Sequence, residues 1–208
     1  MKTQILQSIK PNYPTSVTTL KEVQQVVDTL VNEVISREHF QLIFDEIING
    51  GFYIKFNDRL TTTLGQCVCT TSKDGNIHIP VIEFNTNYIK YEKNTKHKID
   101  TIIHEVMHVL TDLEYNTQCG HDSRWRKNCK QYGCVPTPYA NEETTYRETM
   151  WALGLIKYRL ICLDCGTVLE YRNTISEKYK YEIENGAYMC SECMSPYLEI
   201  QVNKKYKK

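Results

Sequence analysis

The pentapeptide His104-Glu105-Val106-Met107-His108 constrains this chain more than any other stretch of it. It lies in a run from Thr101 to about Glu114 whose apolar residues Ile102, Ile103, Val106, Met107, Val109, Leu110 and Leu113 cover nearly every face of a helix. Such a helix is expected to be buried, with Asp100 as its N-cap. Polar groups carried into an interior need partners, because an unpaired buried polar group is costly. Residues four apart share a helix face, so the imidazoles of His104 and His108 reach one point, and a metal ion there satisfies both. Glu105 stands beside the first of them, placed to take a proton from water as a general base. Zinc suits this chemistry, since it polarises a carbonyl and acidifies water without redox side reactions.

A catalytic zinc commonly has three protein ligands and one open position. The best third ligand is His121, in Gly120-His121-Asp122-Ser123-Arg124-Trp125. Gly120 permits a sharp bend, and Asp122 or Ser123 can cap a second helix that ends at Gly133. Glu114, Glu142, Glu143 and Glu148 are the competing oxygen donors.

Nine cysteines are many for 208 residues, and the odd number argues against a complete disulfide framework. Four of them form two Cys-x-x-Cys pairs, Cys162/Cys165 and Cys190/Cys193, with 24 residues between the pairs. Two such knuckles close a tetrahedral four-thiolate site with no open position, the pattern of structural zinc. Asn185-Gly186 reads as a hairpin turn between strands at 179–183 and 187–189, which makes this segment a zinc ribbon. Cys67, Cys69, Cys119, Cys129 and Cys134 read as ordinary thiols.

The rest of the chain arranges itself around these motifs. Residues 1–16 are a polar lead-in with Pro11 and Pro14. Helical spacing runs from Val17 to about Ile35 and apolar residues continue to Ile48, where Asn49-Gly50-Gly51 stops any helix. A strand is expected at 52–56, then a hairpin of 64–71 and 76–84 turned at Lys73-Asp74-Gly75. A further helix is expected from Glu142 to about Lys157. The expected organisation is α+β: residues 17–157 as a metal-bearing domain of helices with a small antiparallel sheet, and 158–208 as the ribbon with a lysine-rich tail. The segment 76–81 is a candidate exposed strand beside the metal, able to pair with an extended peptide.

The order of these motifs resembles the SprT-like, or Spartan-type, zinc metalloprotease family. His104-Glu105-x-x-His108, then Gly120-His121-Asp122-x-x-Trp125, then the paired cysteines carry the resemblance. Leu64-Gly65-Gln66-Cys67, Ile77-His78-Ile79 and Tyr158-Arg159-Leu160-Ile161-Cys162 look like the family's strands before the metal helix and its lead into the zinc module. The similarity spans roughly residues 20–195. It implies a zincin-like α+β domain, zinc on His104, His108 and His121, Glu105 as the catalytic base, and cleavage of proteins bound or crosslinked to DNA.

Charge tests the DNA reading only locally, because the formal net charge is zero. Arg124, Arg126, Lys127 and Lys130 cluster after the third histidine; Arg159, Arg172 and the lysine tail mark the ribbon. Both groups suit phosphate contacts to single-stranded or distorted DNA, and the tyrosines around them suit base stacking. No stretch reaches the roughly 18 apolar residues of a membrane span, and the N-terminus lacks the apolar run of a secretory signal. The expectation is an intracellular, cytoplasmic zinc endopeptidase with two zinc ions, one catalytic and one structural, acting on DNA-bound proteins and needing no membrane. The competing readings are a non-catalytic zinc protein that binds nucleic acid and a zinc hydrolase of small molecules. A structural site needs no carboxylate beside its ligands, so Glu105 weighs against the first. The substrate-strand hairpin weighs against the second.

Overall fold

A computed structural model describes residues 11–35, 53–60, 63–71, 77–137 and 145–207. The architecture is mixed α and β, in two compact units that divide between Thr144 and Thr145. Among the described residues, no helix is long and apolar enough to cross a membrane.

In the first unit, helix α1 (Leu20–Thr29) begins at a reciprocal cap. The Thr19 hydroxyl accepts from the Glu22 amide, while the Glu22 carboxylate accepts from the Thr19 amide, so two orphan donors of the first turn are satisfied at once. Its apolar stripe of Val23, Val26 and Val27 is buried, and a π-helical turn, Leu30–Val34, extends it. The apolar positions Phe40 to Ile48 lie outside the described residues, as does the turn at Lys73-Asp74-Gly75.

Strands β1 (Tyr53–Asn57), β2 (Gly65–Thr71) and β3 (Ile77–Asn85) form one sheet in the order β1-β3-β2. β2 and β3 are the expected antiparallel pair, but β1 adds parallel to β3, Tyr53 facing Val81 and Asn57 facing Asn85. This corrects one expectation. β3 is the central strand, so the outer edges among the described residues belong to β1 and β2 and not to the expected exposed strand at 76–81. Pro80 lacks the amide a ladder needs, and the register slips beside it: Val68 faces Val81 but Thr70 faces His78. Glu83 ties all three strands together, accepting from Asn57 at 2.6 Å and Gln66 at 2.8 Å and pairing with Lys55 at 2.7 Å.

A short helix α2 (Thr86–Tyr91) leads to the long helix α3 (Thr95–Tyr115), which packs against α1, β2 and β3. α3 starts earlier than the apolar pattern indicates. Asn94 is its cap, accepting from His97 N–H, and Asp100 lies inside it. The first turn is polar in sequence, so its helical period is invisible, yet Lys98 is buried there and donates to the Ile89 carbonyl at 3.3 Å. Ile102, Val106, Met107, Val109 and Leu110 are fully buried. Helix α4 (Ser123–Tyr132) runs as expected from an Asp122 cap to Gly133, whose φ of 74° is the left-handed stop that glycine tolerates.

The second unit opens with helix α5 (Tyr146–Ala152), followed by β4 (Tyr158–Cys162), β5 (Val168–Arg172), helix α6 (Glu177–Glu184) and β6 (Leu198–Val202). The three strands form an antiparallel sheet in the order β5-β4-β6. The expected hairpin at Asn185-Gly186 is absent: 177–184 is helical, and Asn185 and Gly186 end that helix. Alternating Tyr-Lys-Tyr-Glu-Ile mimics a strand, but Ser176 caps the segment through the Tyr179 amide and Lys180 pairs with Glu177 one turn back at 2.6 Å. Tyr179 and Ile183, four apart, supply the inward face; Ile183 is buried.

Candidate metal centres

His104 and His108 project from one face of α3, and His121 comes from the loop that Asp122 caps onto α4. Their Nε2 atoms form a near-equilateral triangle, with separations of 3.1, 3.2 and 3.1 Å. Nitrogens bound tetrahedrally to zinc at about 2.0–2.1 Å stand roughly 3.3–3.4 Å apart, so the triangle is nearly the base of such a site. Trp125, fully buried on the first turn of α4, closes the triangle from behind: His108 stacks on its ring at 5.1 Å, and His104 and His121 meet it at 4.8 and 4.7 Å. Spacing on the chain points to the three histidines but not to this backing, which depends on α4 folding against α3.

Burial lowers the basicity of all three imidazoles. It brings His104 down to about 4, with the neighbouring His121 adding to the effect, and His108 to about 3, with His104 and His121 adding. His121 shifts the same way, first through burial and then through Arg126. All three therefore stay neutral at physiological pH, with lone pairs free for a cation.

Glu105 is buried on α3 and lies against the edge strand. Burial pushes its carboxyl up to about 8, opposed by the Cys67 backbone N–H that it accepts. A divalent cation among the imidazoles would draw it back toward the ordinary range. Gly65 of β2 is packed against it so closely that a Cβ there would stand 2.9 Å from Glu105 Cγ.

Of the competing oxygen donors, one has a described partner within the first unit. Glu114 accepts from Asn128 Nδ2 at 2.8 Å, Glu148 is exposed in the second unit, and Glu142 and Glu143 lie outside the described residues. Among the described residues, the three histidines are the group whose donor atoms converge here.

The second group is Cys162, Cys165, Cys190 and Cys193. Cys162 and Cys193 sulfurs are 3.6 Å apart, as are those of Cys165 and Cys190. The two knuckles repeat one geometry. Gly166 (φ 76°) returns its amide to the Cys162 carbonyl, and Met194 (φ 61°) returns its amide to that of Cys190. Cys162 and Cys190 are buried while Cys165 and Cys193 are exposed.

The basic residues divide into two kinds. Arg124 is held by Asp122 at 2.6 Å; Arg159 donates to Gln201 at 2.9 Å and lies over Trp151; Arg172 pairs with Glu170 at 2.8 Å and lies over Tyr179. Arg126, Lys127 and Lys130 point outward from α4 and are exposed. The five remaining cysteines are not uniform either: Cys67 and Cys69 meet Asp112 of α3 in a third convergent group. Asp112 is remote from them in sequence, so no local signal announces the contact.

Three imidazoles converging from a His-Glu-x-x-His helix and a following loop, and four cysteines gathered in the second unit, are two unlike candidate metal centres among the described residues. A family model described as the SprT-like family matches residues 31–147, more than half of the chain, and the chain belongs to that family. The match contains all three histidines and Glu105 and stops before the cysteine pairs. The family is associated with metalloprotease activity. No curated protein matches the chain.

Proposed function

We propose that this protein is an intracellular zinc endopeptidase with a zincin-like first unit, acting on proteins bound or crosslinked to DNA. The observation that carries the reading is the triangle of Nε2 atoms at 3.1–3.2 Å, with the buried Glu105 next to His104 on the same helix. His104, His108 and His121 would hold zinc, and Cys162, Cys165, Cys190 and Cys193 a second, structural zinc. Zinc held by the three histidines would supply Lewis acidity, which polarises a peptide carbonyl and makes water nucleophilic near neutral pH.

The protein's own groups do the rest. Glu105 accepts the proton of the attacking water on its carboxylate and returns it to the departing amine. The Cys67 amide and the close wall at Gly65 fix where that carboxylate sits. The outer edge of β2 is the strand placed to pair with an extended substrate backbone, which aligns a scissile carbonyl with little demand on side chains.

The DNA part of the proposal rests on charge. Arg126, Lys127 and Lys130, exposed on the helix that follows His121, are suited to phosphates. Arg124, Arg159 and Arg172 are held by neighbours, and would act through their outer edges. The test is metal-dependent cleavage of a histone with and without single-stranded DNA. Cleavage that needs zinc and rises with DNA supports the reading; metal and DNA binding without cleavage would favour a non-catalytic nucleic-acid protein.

A further inference from the structure

Cys67 and Cys69 stand two apart on β2, so both side chains leave the same face of the strand. On a regular strand such neighbours originate about 6.6 Å apart, and nothing in β structure obliges two thiols to turn toward each other. Here the sulfurs approach to 3.5 Å. The register slip beside Pro80 lies opposite Cys69, and irregularities of this kind bend a ladder locally and re-aim side chains. The third donor comes from a different element. Asp112, one turn beyond His108 on α3, places Oδ2 3.5 Å from Cys69 Sγ. Its Oδ1 accepts the Cys119 backbone N–H at 2.8 Å, so the carboxylate is oriented with one oxygen fixed and the other presented to the thiols.

Around a tetrahedral zinc-sized ion, thiolate and carboxylate donors stand roughly 3.5–3.8 Å from one another. Both separations fall at that spacing, close to the 3.6 Å between sulfurs in the four-cysteine group. We propose that Cys67, Cys69 and Asp112 form a third cation site, for a borderline-soft divalent ion such as zinc or cadmium, with one position left open. Two sulfur donors disfavour magnesium and calcium, which take oxygen. Both thiols are partly exposed, which gives an ion a way in, while Asp112 is buried. The site lies on the Glu105 side of α3, where the Cys67 amide meets that carboxylate, and is separate from the histidine triangle. With three protein donors and partly exposed thiols, it is expected to hold its ion less tightly than the four-cysteine group.

The test is cadmium titration of the full chain kept reduced with a phosphine, read by thiolate-to-cadmium absorption and by cadmium NMR. It does not depend on proteolysis. The expected result is a third equivalent with its own resonance, between those of an all-sulfur and an all-nitrogen site. Cys67→Ser with Cys69→Ser should abolish it. Asp112→Asn, which can still accept from Cys119 N–H, should weaken it at least tenfold with circular dichroism unchanged. Saturation of the wild type at two equivalents overturns the proposal, as does a third equivalent that survives in the double cysteine variant. A Cys67–Cys69 disulfide in the untreated protein, with no third ion after reduction, also overturns it and marks a thiol switch instead.

Discussion

Gly65→Ala places one methyl group against the proposed base and nothing else of chemical consequence. The added Cβ would lie 2.9 Å from Glu105 Cγ, 3.1 Å from Glu105 Oε1 and 3.1 Å from Phe84 Cδ1, where ordinary contact starts at 3.4 Å. Phe84 is fully buried in the central strand and has nowhere to go. The Glu105 side chain must therefore retreat by roughly 0.5 Å. Since a 1 Å misplacement costs on the order of a hundredfold in rate, half of that implies about a tenfold loss, with a hundredfold as the upper end. Overpacking should also cost about 1–3 kcal/mol of stability. The assay is steady-state cleavage of a histone peptide alongside zinc content and urea unfolding. The prediction is a lower kcat, a KM within about twofold and unchanged zinc. Wild-type kcat in a folded Gly65→Ala protein would refute the claim that β2 fixes the base. Loss of zinc together with activity would show that the methyl acts through the histidines.

Three further outcomes follow from the geometry. The protein freed of loosely held metal should retain two zinc ions, falling to about one in His108→Ala and about one in Cys190→Ser by elemental analysis, because the two donor groups share no residue. Lys55 first, and then the Asn57 amide, hold the Glu83 carboxyl below its ordinary 4.5, so its contribution is present above that pH and lost as pH falls through the folded value. Glu83→Gln should thus flatten the fall in urea midpoint below about pH 4.5 and cost about 1–3 kcal/mol at pH 7. Alanine at Arg126, Lys127 and Lys130 together should make log affinity for single-stranded DNA less steep against log salt, by about 0.7 for each phosphate no longer neutralised. An unchanged slope would move the DNA-binding surface off α4.

The sequence makes legible what is encoded locally. The spacing of His104 and His108, the Asp122 cap and the Gly133 stop are each written within a few residues, and α4 begins and ends where they place it. His121 stands out because Gly120 and Asp122 flank it. The start of α3 is hidden because Asn94 caps a turn whose only buried side chain is a lysine. Helix α6 looks like a strand because its tyrosines alternate with lysines, although Tyr179 and Ile183 keep helical spacing. The long-range features have no local signature. β1 reaches β3 by a parallel crossover, which turns the supposed exposed strand into the central one. Trp125 behind the imidazoles and Asp112 beside Cys69 are likewise set by packing between elements.

The central claim is that Glu105 moves the proton in a zinc-dependent cleavage, and Glu105→Gln tests it with the least disturbance. The amide fills nearly the same volume beside Gly65 and can still accept the Cys67 N–H, but it cannot take a proton from water. Wild type and Glu105→Gln, matched for zinc content and circular dichroism, should be compared for histone cleavage with single-stranded DNA present. Full zinc is expected in both, with a loss of roughly a hundred- to ten-thousandfold in the variant. Turnover within a few-fold of wild type at equal zinc would contradict it.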